Sequence, residues 1–267
     1  MTGRRCGVIG SPIAHSLSPA LHQAAYDALG LDWEYGRTDV RSDEVGSFVA
    51  GLSPVWRGLS VTMPCKAAIV SLGVPDPVVA ALGVGNTLIF DGDPGDPTTT
   101  HVHSTDVTGI QMVLSQARMS PHACVQVYGN GATARSCVYA LSLMGVGGVH
   151  VRARDAEKTA ALALDGRRWG IEVVDGDCRP DVVVSTLPPQ VSAQWGPASA
   201  GLVVDVVYDP WPTPLIHQAI HQGAQVVTGL DLLAAQAVGQ VELMTGRRVD
   251  LAVLRTAADR AIAEQAA

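Results

Sequence analysis

The stretch Ala123-Cys-Val-Gln-Val-Tyr128-Gly129-Asn-Gly131-Ala-Thr-Ala134-Arg135 narrows the fold more than any other in this 267-residue chain. An apolar run of strand length enters the pattern G-x-G-x-x-A. A helical pattern follows from Thr133 to about Met144, and Gly148-Val-His-Val-Arg-Ala153 reads as a second strand. Glycines at these positions let the backbone turn tightly and approach a pyrophosphate at the helix N-terminus. A tight turn that binds nothing is the alternative, and the β-α-β setting weighs against it. Further strands at 181–185, 201–206 and 224–227 extend this part into a parallel α/β sheet. Between the last two, Thr213-Pro214 place cap and proline in the preferred order for a helix start.

A site for NAD usually has an acid about 20 residues past the glycines, at the end of the second strand, for the ribose hydroxyls. That position is Ala153, flanked by Arg152 and Arg154, with Lys158 one helical turn further on. Positive charge without the acid suits the 2′-phosphate of NADP. Asp155 is the dissenting charge.

The first hundred residues alternate strand and helix, which points to a second, mostly parallel α/β sheet. Strands are expected at 6–10, 33–40, 58–63 and 84–90, with a helical pattern resuming after Lys66 and a surface loop from Asp91 to Thr100. Gly58-Leu-Ser-Val-Thr-Met-Pro-Cys-Lys66 is an apolar run that stops at Pro64 and presents a lysine. Only two lysines, Lys66 and Lys158, stand against sixteen arginines. An ammonium exchanges protons and a guanidinium does not, so Lys66 is a candidate acid and base. Its alternative is a solvated surface lysine.

Ser18 is placed to cap a helix with Pro19 at its first position, so Ser16 and Ser18 sit at a helix mouth suited to a carboxylate or polyol. Capping alone is the other reading of both serines. Asn86 and Thr87 open a strand. Asp106, with Thr105, begins a helix that it caps or that carries it into a site. Gln236 lies in an otherwise apolar helical stretch, where a buried amide must find partners.

Composition excludes several classes. Hydrophobic residues make up 47%, charged residues 16%, and the formal net charge is −7 with no long basic run. A nucleic-acid partner needs a basic face. Five cysteines, at 6, 65, 124, 137 and 178, are scattered without metal-ligand spacing and read as free thiols in a reducing cytoplasm. No apolar run reaches the ~18 residues of a membrane helix, and the N-terminal run is too short for a signal peptide.

Together these motifs resemble the shikimate dehydrogenase family along nearly the whole chain and in order. The matches are Gly10-Ser-Pro-Ile-Ala-His-Ser-Leu-Ser-Pro19, Gly58 to Lys66, Gly85-Asn86-Thr87, Thr105-Asp106, Gly129 to Arg135, Asp205-Val-Val-Tyr208-Asp-Pro210, and Gly229 to Ala237. Tyr208-Asp-Pro-Trp-Pro-Thr-Pro-Leu215 is closest to actinobacterial members. The resemblance implies a two-domain α/β fold, with a discontinuous substrate domain of 1–104 and 230–267 around a Rossmann domain of 105–229. It implies reversible reduction of 3-dehydroshikimate to shikimate with NADPH and no metal. Lys66 and Asp106 then flank the C3 oxygen, Ser16 and Ser18 bind the carboxylate, and Thr62, Asn86, Tyr208 and Gln236 hold the remaining substrate groups. Cofactor contacts fall on Gly129, Asn130, Gly131, Ala132 and Thr133, on Ala153, Arg154, Asp155 and Lys158, and near Val206 and Gly229. The small-molecule substrate is the expected partner, with neither nucleic acid nor membrane, and a homodimer is the assembly to look for.

Three departures stand out. Ser104 replaces a usual asparagine before Thr-Asp, Ala153-Arg154-Asp155 replaces a usual Asn-Arg-Thr phosphate clamp, and Leu232 replaces a methionine of similar size. Two rival readings stay open at this point. One is an NAD-linked quinate/shikimate dehydrogenase, which tends to carry threonine at Ser18 and an acid at Ala153. The other is a non-catalytic shikimate-binding sensor, which needs neither Lys66 nor Asp106.

Overall fold

The computed structural model describes residues 3–266 and contains two compact units. One runs to Gly109 and resumes at Leu233, and the other is Ile110–Leu232. The first unit begins with β1 (Arg5–Gly10), α1 (Ser18–Leu29), β2 (Glu34–Asp39), α2 (Val45–Ala50) and β3 (Trp56–Val61). A 3-10 turn at Ala68–Leu72 precedes β4 (Val74–Pro75), α3 (Pro77–Leu82), β5 (Thr87–Phe90) and β6 (Thr100–His103). The sheet order is β2-β1-β3-β5-β6-β4. β1 pairs in parallel with β2 and β3, and β4 with β6, but β5 runs antiparallel to β3 and β6. The sheet is therefore mixed, whereas strand-helix alternation points to a mostly parallel one. The short loop 91–99 is the cause at β5–β6, because a parallel crossover needs a longer link than a hairpin.

β1 is a continuous apolar run buried beyond its first residue. α1 carries Pro19 in its first turn and stops at Gly30, whose left-handed φ of 64° ends the helix. The N-cap is Leu17, and no side chain caps it. Ser18 is thus the first helical residue rather than the cap its type suggests, since Leu17 already has helical angles of φ −86° and ψ −7°. The helix expected after Lys66 reduces to the 3-10 turn and the short α3, capped by Asp76, which accepts from Val79 N at 2.7 Å.

α4 (Asp106–Gln116) leads the chain into the second unit. There follow β7 (Val125–Tyr128), α5 (Ala132–Leu143), β8 (Gly148–Arg152), α6 (Ala156–Trp169), β9 (Glu172–Asp175) and β10 (Val182–Ser185). α7 (Pro189–Trp195), β11 (Leu202–Asp205), α8 (Pro214–His221) and β12 (Gln225–Val227) complete it. The order β12-β11-β10-β7-β8-β9 is parallel throughout. Strand order reverses between β7 and β10, the switch point outside which doubly wound sheets take dinucleotides. β9 escapes the sequence reading because Glu172-Val-Val-Asp175 is short, has acids at both ends and lies at the sheet edge. Thr213 caps α8 as its type and the following proline suggest, accepting from Ile216 N at 3.3 Å.

α9 (Gly229–Thr245) brings the chain back to the first unit, and α10 (Leu251–Ala266) packs along α1. Both junctions between units fall inside helices, α4 and α9. One core of the first unit gathers Ile9, Leu59, Val61, Leu88 and Val102. Another gathers Cys6, Val8, Tyr26 and Tyr35 with Met244 of α9. In the second unit Tyr128, Val183, Val203, Leu215 and Ile216 pack together. Among the described residues no helix is long and apolar enough to cross a membrane.

Candidate active site

Lys66 leaves β3 by a turn secured at two points. Cys65 N donates to Thr62 O, and Gly85 N donates to Lys66 O, each at 2.9 Å. The Lys66 ammonium lies 2.5 Å from Asp106 Oδ2, with the two side chains only 14% and 9% exposed. Asp106 opens α4, where unsatisfied backbone N–H groups favour negative charge. Its carboxylate serves the site, because Oδ1 accepts from Asn86 Nδ2 at 2.9 Å while Oδ2 faces Lys66.

Asn86 is the hub. Its Oδ1 accepts from Thr105 N at 2.8 Å and Thr87 Oγ1 at 2.9 Å. Its Nδ2 hydrogens are shared among Asp106 Oδ1, Thr105 Oγ1 and Gln236 Oε1, the last two at 3.0 Å. Gln236 reaches this point because α4 and α9 cross closely. A Cβ at Gly109 meets the Gln236 backbone at 3.0–3.1 Å, so the helices come this near only over a bare glycine.

One turn further along α9, Gln240 continues the network on the same helix face. Its Nε2 donates to Asn86 O and Thr87 Oγ1, both at 3.2 Å. Its Oε1 accepts from Ser60 Oγ at 2.8 Å and lies 3.3 Å from His22 Nε2. Tyr35 OH donates to Ser60 Oγ at 2.6 Å. Burial lowers the His22 pKa to about 4, against a weaker opposing effect of Gln240. The ring is therefore neutral, and with an amide oxygen opposite, its Nε2 carries the hydrogen. Sequence reasoning missed Gln240 and His22. The available signal was the four-residue spacing from Gln236 in an apolar helix, which puts a second amide on the same buried face.

Ser16 and Ser18 are buried together, and Ser16 Oγ accepts from Ser18 N at 3.4 Å. Arg37 pins their turn by donating to the carbonyls of Ala14 and Ser16. No hydrogen bond from the hydroxyl of Ser18 or Thr62 is found among the described residues, which leaves both groups for a ligand. Ser104 Oγ is buried without a partner among the described residues. Tyr208 stands in the second unit, half-buried past β11.

The glycine turn has the form a dinucleotide phosphate needs. Gly129 has φ 104°, and a Cβ there would strike Thr186 Oγ1 at 2.4 Å. Gly131 caps α5 without a side chain, so Ala132 and Thr133 begin a helix whose first N–H groups face outward. Asn130 acts as a strut, donating to Asp155 O at 2.7 Å and Thr159 Oγ1 at 2.9 Å. Gly229 lies on the backbone of Val206 and Val207, past the end of β11.

At the end of β8 the cations around Ala153 have separate commitments. Arg152 lies 4.3 Å over the Trp195 ring and 3.5 Å from Asp177 Oδ1. Asp155 caps α6, accepting from Lys158 N at 3.0 Å and pairing with Lys158 Nζ at 3.2 Å. The Lys158 backbone N–H, then its ammonium, hold the Asp155 carboxyl below the usual range. Arg154, exposed just past Ala153, keeps its guanidinium uncommitted among the described residues. β8 ends at Arg152, so the strand face that would align Arg152 with Arg154 does not extend that far.

Residues 8–88 match the family model for the shikimate dehydrogenase substrate binding domain. A shikimate dehydrogenase (NADP(+)) of Natronomonas pharaonis is 32% identical, over 90% of this chain and 93% of that protein. The crystal structure of Mycobacterium tuberculosis shikimate dehydrogenase aligns with a TM-score of 0.87 at 35% identity, covering 96% of this chain and 99% of that one. Shikimate 5-dehydrogenase of Thermus thermophilus, in complex with NADP(H) and shikimate, aligns with a TM-score of 0.85 at 28% identity, covering 97% of this chain and 99% of that one.

Proposed function

The chain belongs to the shikimate dehydrogenase family, and from that premise we propose that it catalyses the reversible NADPH-dependent reduction of 3-dehydroshikimate to shikimate. The observation that carries this reading is the shielded Lys66–Asp106 pair at 2.5 Å, fastened through Asn86. NADPH, when bound, supplies the hydride for C3. Lys66 donates a proton to the C3 oxygen as negative charge develops there, and takes it back in the reverse direction. Asp106 holds the ammonium in place at 2.5 Å. Asn86 and Gln236, through their mutual hydrogen bond, fix that carboxylate and offer amide groups to substrate hydroxyls. Ser16 and Ser18 take the substrate carboxylate, Thr62 and Tyr208 the remaining hydroxyls. Removing one such positioned hydrogen bond costs a neutral site about 0.5–1.5 kcal/mol.

Gly129 to Thr133 take the cofactor phosphates at the α5 N-terminus. Ala153, Arg154, Asp155 and Lys158 surround the adenosine ribose, with Arg154 as the cation for its 2′-phosphate. Val206 and Gly229 line the nicotinamide end. The reaction serves aromatic amino-acid biosynthesis, and five free thiols suit a reducing cytoplasm.

Initial rates of NADP+ and NAD+ reduction, with shikimate and with quinate, test the assignment. A higher kcat/KM for shikimate with NADP+ than for any other combination is expected. Preference for quinate with NAD+ favours the rival NAD-linked enzyme, and no turnover with any pair favours a binding protein.

A further inference from the structure

Three side chains far apart in sequence meet on one face of the second unit's sheet. Cys124 precedes β7, His150 lies in β8, and Cys178 follows β9. Their ligand atoms all lie within 4.8 Å of one another, and the two sulfurs are 3.0 Å apart. His150 Nδ1 is buried and has no hydrogen-bond partner among the described residues. Beneath them Gln126 ties the elements together, donating to His150 O at 3.3 Å and Gly176 O at 3.1 Å and accepting from Cys178 N at 3.0 Å. All three side chains are half-buried, so an ion can reach them.

We propose that Cys124, His150 and Cys178 form a binding site for a thiophilic divalent metal ion of the Zn2+ type, with water completing the coordination. Two sulfurs and an imidazole nitrogen are the donor set that such an ion prefers. Tetrahedral Zn2+ with Zn–S bonds of about 2.3 Å separates its sulfurs by about 3.8 Å, so this pair opens by less than an ångström on binding. A small χ1 change at Cys178, in the loop after β9, provides that. Binding displaces one proton from each thiol to solvent, leaves the imidazole neutral and transfers no electrons. The surrounding charge is mixed. Asp177 and Arg179 flank Cys178, Asp181 accepts from Cys124 N at 2.9 Å, and Arg152 lies beside Asp177.

A disulfide between the same cysteines is the competing outcome. It joins the sulfurs but leaves His150 Nδ1 buried and unsatisfied, whereas a metal ion satisfies all three groups. The ion would staple the 176–181 crossover to β7 and β8, remote in sequence from Lys66, with Cys124 at the opposite end of β7 from the glycine turn.

The test is titration of the reduced, metal-free full-length protein with Co2+, followed by displacement with Zn2+. Thiolate-to-cobalt charge-transfer absorption saturating at one ion per chain, and lost on Zn2+ addition, is expected. Losing even an outer-shell partner of a metal costs about 10- to 100-fold in affinity, so Cys178→Ser and His150→Gln should each weaken Zn2+ binding by at least that. Circular dichroism of both variants checks that they fold. The proposal is overturned by absence of the thiolate band, by folded variants that bind Zn2+ as the parent does, or by a Cys124–Cys178 cross-linked peptide in protein purified without reductant.

Discussion

Gln240 Nε2 donates to the backbone carbonyl of Asn86 at 3.2 Å, so the residue that fastens Asp106 is itself held from a helix 154 positions away in sequence. Gln240→Leu removes that support and also strips partners from buried Ser60, His22 and Thr87. Orphaning buried polar groups costs about 1–3 kcal/mol each. We expect a loss of at least about 2 kcal/mol in urea denaturation, together with a fall in kcat smaller than that of any Lys66 variant. Unchanged stability and rate would show that the network is incidental.

Ser104 gives the converse case. Its buried hydroxyl has no partner among the described residues, so Ser104→Ala should be neutral or stabilising by up to about 1 kcal/mol. A loss above that in the same denaturation assay would mean that the hydroxyl is hydrogen-bonded in solution.

Two buried groups give the stability a pH dependence of opposite sign. His22 has its pKa lowered from 6.5 to about 4, so its contribution is present above pH 6.5 and lost as the pH falls through 4. Asp205 has its pKa raised by burial from 3.8 to about 6, against a hydrogen bond from Thr213. Its contribution is present below pH 3.8 and lost as the pH rises through 6. Each is worth about 3 kcal/mol. Denaturation at pH 7.5 and 4.5 separates them. The drop in stability on acidification should shrink in His22→Gln and grow in Asp205→Asn, and parallel pH profiles in parent and variants would refute both assignments.

Much of the candidate site's polar cluster was legible in the sequence because residue type announced it. Lys66 is a rare lysine after a strand, Asp106 and Asn86 open their elements, and Gln236 is an amide in an apolar helix. What stayed hidden was non-local. Gln240 matters only because α9 returns to β3 and β5, and Cys124, His150 and Cys178 converge through a crossover over the sheet face. Ser18 misled because side-chain type cannot reveal that Leu17 is already helical. The commitments of Arg152 to Trp195 and Asp177, and of Lys158 to Asp155, were not legible because those partners are set by the fold and by the start of α6.

Those commitments sharpen the cofactor prediction. With Asp155 spent on capping α6 and on Lys158, Arg154 is the cation left to meet a 2′-phosphate. A charge-assisted bond of this kind contributes about 1.5–3 kcal/mol. We therefore expect Arg154→Ala to lose most of the preference for NADP+ over NAD+ in kcat/KM, by roughly 10- to 100-fold, with little change for NAD+ itself. A preference that survives the substitution would move the phosphate site to Lys158.

If Lys66 moves the proton, two constants separate in Lys66→Ala: kcat for shikimate oxidation by NADP+, and Kd for shikimate by calorimetry. A proton-transfer group acts mainly in the transition state, so turnover should fall by at least about 100-fold while binding changes by less than about tenfold. Near-normal kcat in Lys66→Ala, in protein that still binds shikimate, would contradict the account.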